Sequence, residues 1–131
     1  MIDCDGTLHD RARAGILLLN AGRYFEAHEE LEAAWKAESG RIRQLYQGIL
    51  EAAVTYLHIT RGNYPGAVKV YKRSMRWLKD WPDVCRGVQV EQLRRDLNAA
   101  VAEVERLGHA GMAHFDRALL KPVLFDQAGG K

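Results

Sequence analysis

His28 and Glu32 set an imidazole and a carboxylate one helical turn apart, a spacing that lets the two share a divalent ion or a hydrogen bond. Projected at about 100° per residue, the segment 23–38 puts Tyr24, Ala27, Leu31, Ala34 and Trp35 on one arc with Phe25 at its edge, and His28 and Glu32 fall inside that arc. Glu26, Glu29, Glu30 and Lys36 collect on the opposite side, as solvated charges do. An inward carboxylate needs a partner, because burying it bare costs several kcal/mol or keeps it protonated.

The segment 41–61 is where partners can come from. Its apolar residues, among them Tyr46, Ile49, Leu50, Ala53 and Leu57, spread round most of the helical wheel, so it reads as a central helix touched on several sides. Its polar stripe is narrow: Gln47, Glu51 and His58 lie within about 40° of one another, with Gln44 and Thr55 beside them. An antiparallel hairpin turning near Gly40 sets Glu32 opposite Gly48 and His28 opposite Ala52. Gln47 and Glu51 then lie within about a turn of both, and His58 roughly 9 Å further along.

The candidate ligands of a metal are therefore His28, Glu32, Gln47 and Glu51, with His58 a distal member. Two readings of this cluster stay open. In one, His28 donates to Glu32, Glu32 accepts from Gln47 or a tyrosine hydroxyl, and the network fixes helix register. In the other, His28 and Glu32 hold a divalent metal and Glu51 or Glu29 serves as base for its bound water, with Glu29 the more exposed. No nucleophile stands beside the cluster, since Ser39 lies at a helix end and Cys85 in a distant loop. The His-Glu-x-x-His pattern is absent, because Glu32 occupies the place of its second histidine.

The elements that must position these residues follow from punctuation. Only three prolines occur, at Pro65, Pro82 and Pro122, and the long stretches between breakers are rich in Ala, Leu, Glu, Arg and Lys. The pattern predicts an all-α chain with helices at about 8–20, 23–38, 41–61, 64–80 and 89–107, then a short helix near 111–120. Gly22, Gly40, Gly62 and Gly108 each sit where a helix stops. The expected architecture is a compact bundle of about five helices around a helical hairpin, in one domain spanning 1–131, with 1–7 and 126–131 flexible.

A faint repeat runs through it. Gly22-Arg23-Tyr24-Phe25-Glu26-Ala27 and Gly62-Asn63-Tyr64-Pro65-Gly66-Ala67 share a Gly-x-Tyr-x-x-Ala frame, and each copy starts a helix. The frame resembles a tetratricopeptide hairpin, although that repeat runs about 34 residues and needs several units. Its meaning here is packing: a small alanine lets helices approach and a tyrosine plugs the gap.

His28-Glu29-Glu30-Leu31-Glu32-Ala33-Ala34-Trp35 resembles the His-x3-Glu-x2-Trp motif of the domain-of-unknown-function family 309, small bacterial and archaeal helical proteins. Tyr24 to Glu29, Tyr46-Gln47-Gly48-Ile49-Leu50, and Arg61-Gly62-Asn63 followed by Gly66-Ala67 are similar to that family's segments as well. The resemblance covers about residues 16–80 and implies a compact all-α fold. By analogy it also implies the label of a metal-dependent hydrolase, without a known reaction. It further implies glutamine at the position where this chain has Glu51.

Composition narrows the remaining classes. The chain has 131 residues, 47% hydrophobic and 27% charged, with 19 Lys and Arg against 17 Asp and Glu, which suits an ordinary globular protein and predicts neither a membrane partner nor a nucleic acid. There is no long apolar run and no signal-peptide pattern, and the two cysteines, Cys4 and Cys85, have no paired spacing, so they read as reduced thiols of a cytoplasmic protein. Asp3-Cys4-Asp5-Gly6-Thr7 resembles the haloacid-dehalogenase phosphatase motif, but the buried strand and parallel sheet it requires are missing from the pattern. Lys69, Lys72, Arg73, Arg76 and Lys79 form a basic face on the fourth helix opposite Tyr71, Met75, Leu78 and Trp81; it reads as solvated, with weak nucleic-acid binding as its functional version. His109 and His114 receive no role. The sequence thus points first to a non-catalytic helical interaction module that self-associates, for which an apolar patch at Trp77 or Trp81 would speak, and second to a small metal-dependent hydrolase.

Overall fold

Two helical hairpins form the framework of the computed structural model, which describes residues 4–126. The first joins α1 (Asp10–Asn20) to α2 (Tyr24–Ala37), and the second joins α3 (Ile42–Thr60) to α4 (Tyr64–Leu78). Each turn is the same motif. Gly22 and Gly62 take φ of +80° and +69°, the left-handed conformation that glycine adopts without a Cβ penalty. In the first turn the amides of Gly22 and Arg23 donate to the carbonyls of Leu19 and Leu18, both at 2.9 Å; in the second those of Gly62 and Asn63 donate to Ile59 and His58 at 3.0 and 2.9 Å. These are the paired bonds of a Schellman cap. The Gly-x-Tyr-x-x-Ala frame is thus a structural duplication: Tyr24 and Tyr64 open the second helix of each hairpin, and Ala27 and Ala67 are wholly buried.

The helices pack in chain order, α1 on α2, α2 on α3 and α3 on α4. This makes α3 the central helix, buried on most of its circumference as its residue pattern requires. Its approach to α4 is close at Gly48, where an added Cβ would lie 2.6 Å from Leu78 Cδ2. Ser74 Oγ donates to the Gly48 carbonyl at 2.8 Å across the same contact. The buried side chains form one continuous cluster to which all five helices contribute, with Tyr46, Tyr56, Ile16, Leu31, Leu78 and Leu97 among the largest. Helix α1 starts two residues later than predicted because His9 Nδ1 accepts from the Arg11 amide at 3.0 Å and caps it.

Beyond α4 the structure adds what the pattern missed. Val84–Cys85 (β1) and Val88–Gln89 (β2) pair antiparallel, and α5 (Val90–Leu107) follows directly. The turn residues Arg86 and Gly87 both have positive φ, 49° and 83°, the pairing that two-residue hairpins favour. In place of the single short helix near 111–120 there are two 3-10 turns, His109–His114 and Arg117–Leu119. The chain then returns to the hairpin: Gln89 N–H donates to Leu124 at 2.9 Å and Asp126 N–H to Gly87 at 3.1 Å.

The thiol assignment of Cys4 and Cys85 is overturned, because the two form a disulfide with Cα atoms 4.6 Å apart. The segment expected to be a flexible leader makes contacts with the rest of the chain from Cys4 onward. Arg86 N–H donates to the Cys4 carbonyl at 3.2 Å, Arg86 Nη1 to the Thr7 carbonyl at 3.0 Å, and Leu8 is buried. Separation along the chain hid this pairing, which the return of the chain at β1 creates. At the other end Asp126 is hydrogen-bonded, while 1–3 and 127–131 lie outside the described residues, Asp3 of the phosphatase-like motif among them. The only sheet among the described residues is the two-stranded antiparallel one, so the parallel sheet that motif needs is not among them. No described helix is long and apolar enough to cross a membrane.

Candidate functional site

Three helices enclose a cleft of about 550 Å³, and each contributes one seam of side chains. His28, Glu32 and Trp35 come from α2, Gln47, Leu50, Glu51 and Val54 from α3, and Arg73, Arg76 and Trp77 from α4. Each seam recurs every three or four residues, widened by the adjacent pairs Leu50–Glu51 and Arg76–Trp77, which is why one face of each helix can supply it. The hairpin register therefore brings His28, Glu32, Gln47 and Glu51 to one place. It does not bring His58.

Within the cleft the roles differ from those expected. The carboxylate that is buried is Glu51, with 8% of its side chain exposed. Gln47 Nε2 donates to one of its oxygens at 2.7 Å, and Arg73 Nε donates to the other at 2.8 Å. A buried carboxylate must be paired and hydrogen-bonded, and these two donors satisfy both demands. Glu32 instead stands on the rim, 43% exposed, with Lys36 Nζ 4.0 Å away. Its place on the inward arc is right, but that edge of the arc opens into the cleft rather than into the core. His28 is half-buried, its ring 6.0 Å from that of Phe25. Gln47 serves Glu51 rather than Glu32.

His58, in the last turn of α3, packs against the start of α4 instead. Its Nδ1 lies 3.0 Å from Asn63 Nδ2, and Asn63 Oδ1 accepts from the Gly66 amide, capping the helix. Burial, then the charges of Arg61 and Arg73, hold the His58 imidazole below its usual pKa. A neutral ring with Nδ1 free to accept from Asn63 fits that direction.

The donor set does not fit a divalent metal in this arrangement. Among the described residues no group of three or more His, Cys, Asp or Glu side chains is placed to hold one. A cation brought to Glu51 would meet the Arg73 guanidinium already seated there.

A second lobe of about 410 Å³ shares Trp35, Gln47 and Trp77 with the first and adds Arg43 and Gln44. The Arg43 guanidinium stacks over the Trp35 ring, 4.5 Å from its centroid. Its Nε is buried and has no hydrogen-bond partner. Arg43, Arg73, Arg76 and Trp77 thus line the cleft, and the sequence reading did not assemble them there. Arg73 and Arg76 were placed on a solvated basic face, and the only signal against it was a buried carboxylate on the neighbouring helix with too few donors. Trp81, at which an exposed apolar patch would have spoken for an interaction module, is buried in the core.

Comparison with known proteins names no reaction. An uncharacterized protein of Aquifex aeolicus is 28% identical over 87 residues, which make up 66% of this chain and 26% of the relative. The chain thus spans about a quarter of that relative's length. Residues 12–70, running from α1 into α4 and carrying His28, Glu32, Gln47 and Glu51, match the family described as Domain of unknown function (DUF309), the family that the His-x3-Glu-x2-Trp motif resembles.

Proposed function

We propose that the chain is a non-catalytic helical binding module that takes its ligand in the cleft between α2, α3 and α4. The observation that carries this reading is the state of Glu51. Both of its carboxylate oxygens already have donors, Gln47 and Arg73, yet the group lies at the floor of an open cleft beside two indoles. A carboxylate whose two oxygens are already taken by donors is poorly placed to reach a proton on a guest. It serves well as a fixed polar floor against which a ligand is oriented.

Hydrolysis through a metal held by His28 and Glu32 would need a further donor and a released Glu51, and no geometric observation favours it over binding. The Cys4–Cys85 disulfide, the Arg86 hydrogen bonds and Leu8 hold the first residues of the described chain against the rest.

The three tryptophans make a direct test, because Trp35 and Trp77 border the cleft and Trp81 is buried away from its surface. In nitrogen-15 spectra of the full chain, fragments that bind should move the indole N–H signals of Trp35 and Trp77 and leave that of Trp81 still. Hits that move only signals elsewhere, or a broad fragment collection with no hit, would remove the cleft as a binding site.

A further inference from the structure

We infer that the ligand of this cleft is a small flat anion, a ring system carrying a phosphate or carboxylate, held between Trp35 and Trp77 with its charge toward Arg43 and Arg76. This rests on the binding reading above and names the chemistry it would take. The charges of the cleft do not cancel. Glu51 is paired with Arg73, and Glu32 has Lys36 nearby, whereas Arg43 and Arg76 border the two lobes with no carboxylate partner among the described residues. Lys69 and Lys72, on the adjoining surface of α4 beside Arg73 and Arg76, add to the same field. An anion entering the cleft is therefore attracted, and a cation is not.

Arg43 is the more specific of the two arginines. Its guanidinium is held by the face of Trp35 rather than by an acid, so it is fixed in place while its charge is left for a guest. The orphaned Nε shows that the protein itself supplies no acceptor there. Two indoles bordering both lobes provide flat apolar surface for a ring. A volume of about 550 Å³ lies within the range of small-molecule sites, which favours a compact ligand over a polymer tracking across the surface.

Four probes test the inference on the full chain: adenosine monophosphate with neutral adenosine as its control, and indole-3-carboxylate with neutral indole as its control. The expected result is that at least one anion binds about tenfold more tightly than its neutral counterpart, with the Trp35 and Trp77 signals shifting. That preference should vanish in R43M and weaken in R76M, a change at an exposed side chain that also guards against a folding defect in the first variant. R95M, on the far helix α5, should bind like the parent. The tenfold figure is about what one charge-assisted hydrogen bond supplies. Equal binding of charged and neutral probes, or an unchanged preference in R43M, overturns the inference while leaving the cleft a binding site. Neutral fragments that shift the indoles where no anion does would have the same meaning. Failure of every fragment removes both readings. A short deoxyadenylate oligomer binding far more tightly than the mononucleotide, with steep salt dependence, would overturn the small-molecule assignment in favour of a single strand.

Discussion

Glu51 and Arg73 join two helices through one charged contact, and their unequal exposure decides what each substitution does. Arg73 is 48% exposed and Glu51 8%, so removing the guanidinium strands a buried carboxylate, whereas removing the carboxyl charge leaves an arginine that water can still solvate. R73M should therefore destabilise the fold by about 1–2 kcal/mol, below the cost for a fully buried pair because half of Arg73 is already in water. E51Q keeps the hydrogen bond to Gln47 and should cost less. In the double variant the cost of losing Arg73 should shrink to near zero; urea unfolding of the four proteins measures the coupling directly. At this scale the sequence was half legible. Helical register gathered His28, Glu32, Gln47 and Glu51 correctly, because angle around a helix is encoded in spacing. Depth is not, so Glu32 was taken for an inward acid although it stands on the rim, and the sequence did not single out Glu51 as the buried one. Arg73 escaped because its neighbours on α4 are lysines and arginines, and a long side chain that turns back toward another helix leaves no trace in a wheel projection.

Helices and turns were more fully written in the chain than contacts were. The duplicated Gly-x-Tyr-x-x-Ala frame did mark two equivalent caps, because a left-handed residue after a helix selects glycine and a closely packed entry selects alanine. The β-hairpin at 84–89 left no comparable mark: strands of two residues have no period to detect, and Arg86 holds a positive φ without being glycine. Close approach is also an element-scale property, and Gly48 sets it for α3 and α4. A methyl group at that position would press on Leu78, which is fully buried and has little room to yield. G48A should accordingly cost about 1–2 kcal/mol despite the better helix propensity of alanine. Because the neighbouring positions on α4 include Trp77, whose Cβ would lie 3.3 Å from the new atom, the cleft should change with it. Thermal melting reads the first effect and the Trp77 indole signal the second.

Whole-molecule organisation was the least legible level, since it depends on residues 81 positions apart. The disulfide between Cys4 and Cys85 ties the leader to the hairpin ahead of α5, with α1 to α4 lying between the two cysteines. Closing so long a segment lowers the entropy of the unfolded chain, and the expected contribution is about 2–4 kcal/mol. Reduction should lower the urea midpoint by the corresponding amount, and C4S should behave like the reduced parent with or without reductant. Equal midpoints in oxidised and reduced protein would mean that the leader is held by Leu8 and Arg86 alone. The family match stops at residue 70 within α4, so Arg73, Arg76 and Trp77, which complete the cleft, lie beyond the residues that the match covers.

The same bond makes the four framework helices a closed covalent ring. A protease that cuts once within that ring, for example near Ser39 and Gly40 in the exposed link between the two hairpins, opens the ring without dividing the molecule. The nicked chain would migrate as one species on a gel until thiol is added and as two afterwards, and its halves could refold without having to find each other by diffusion.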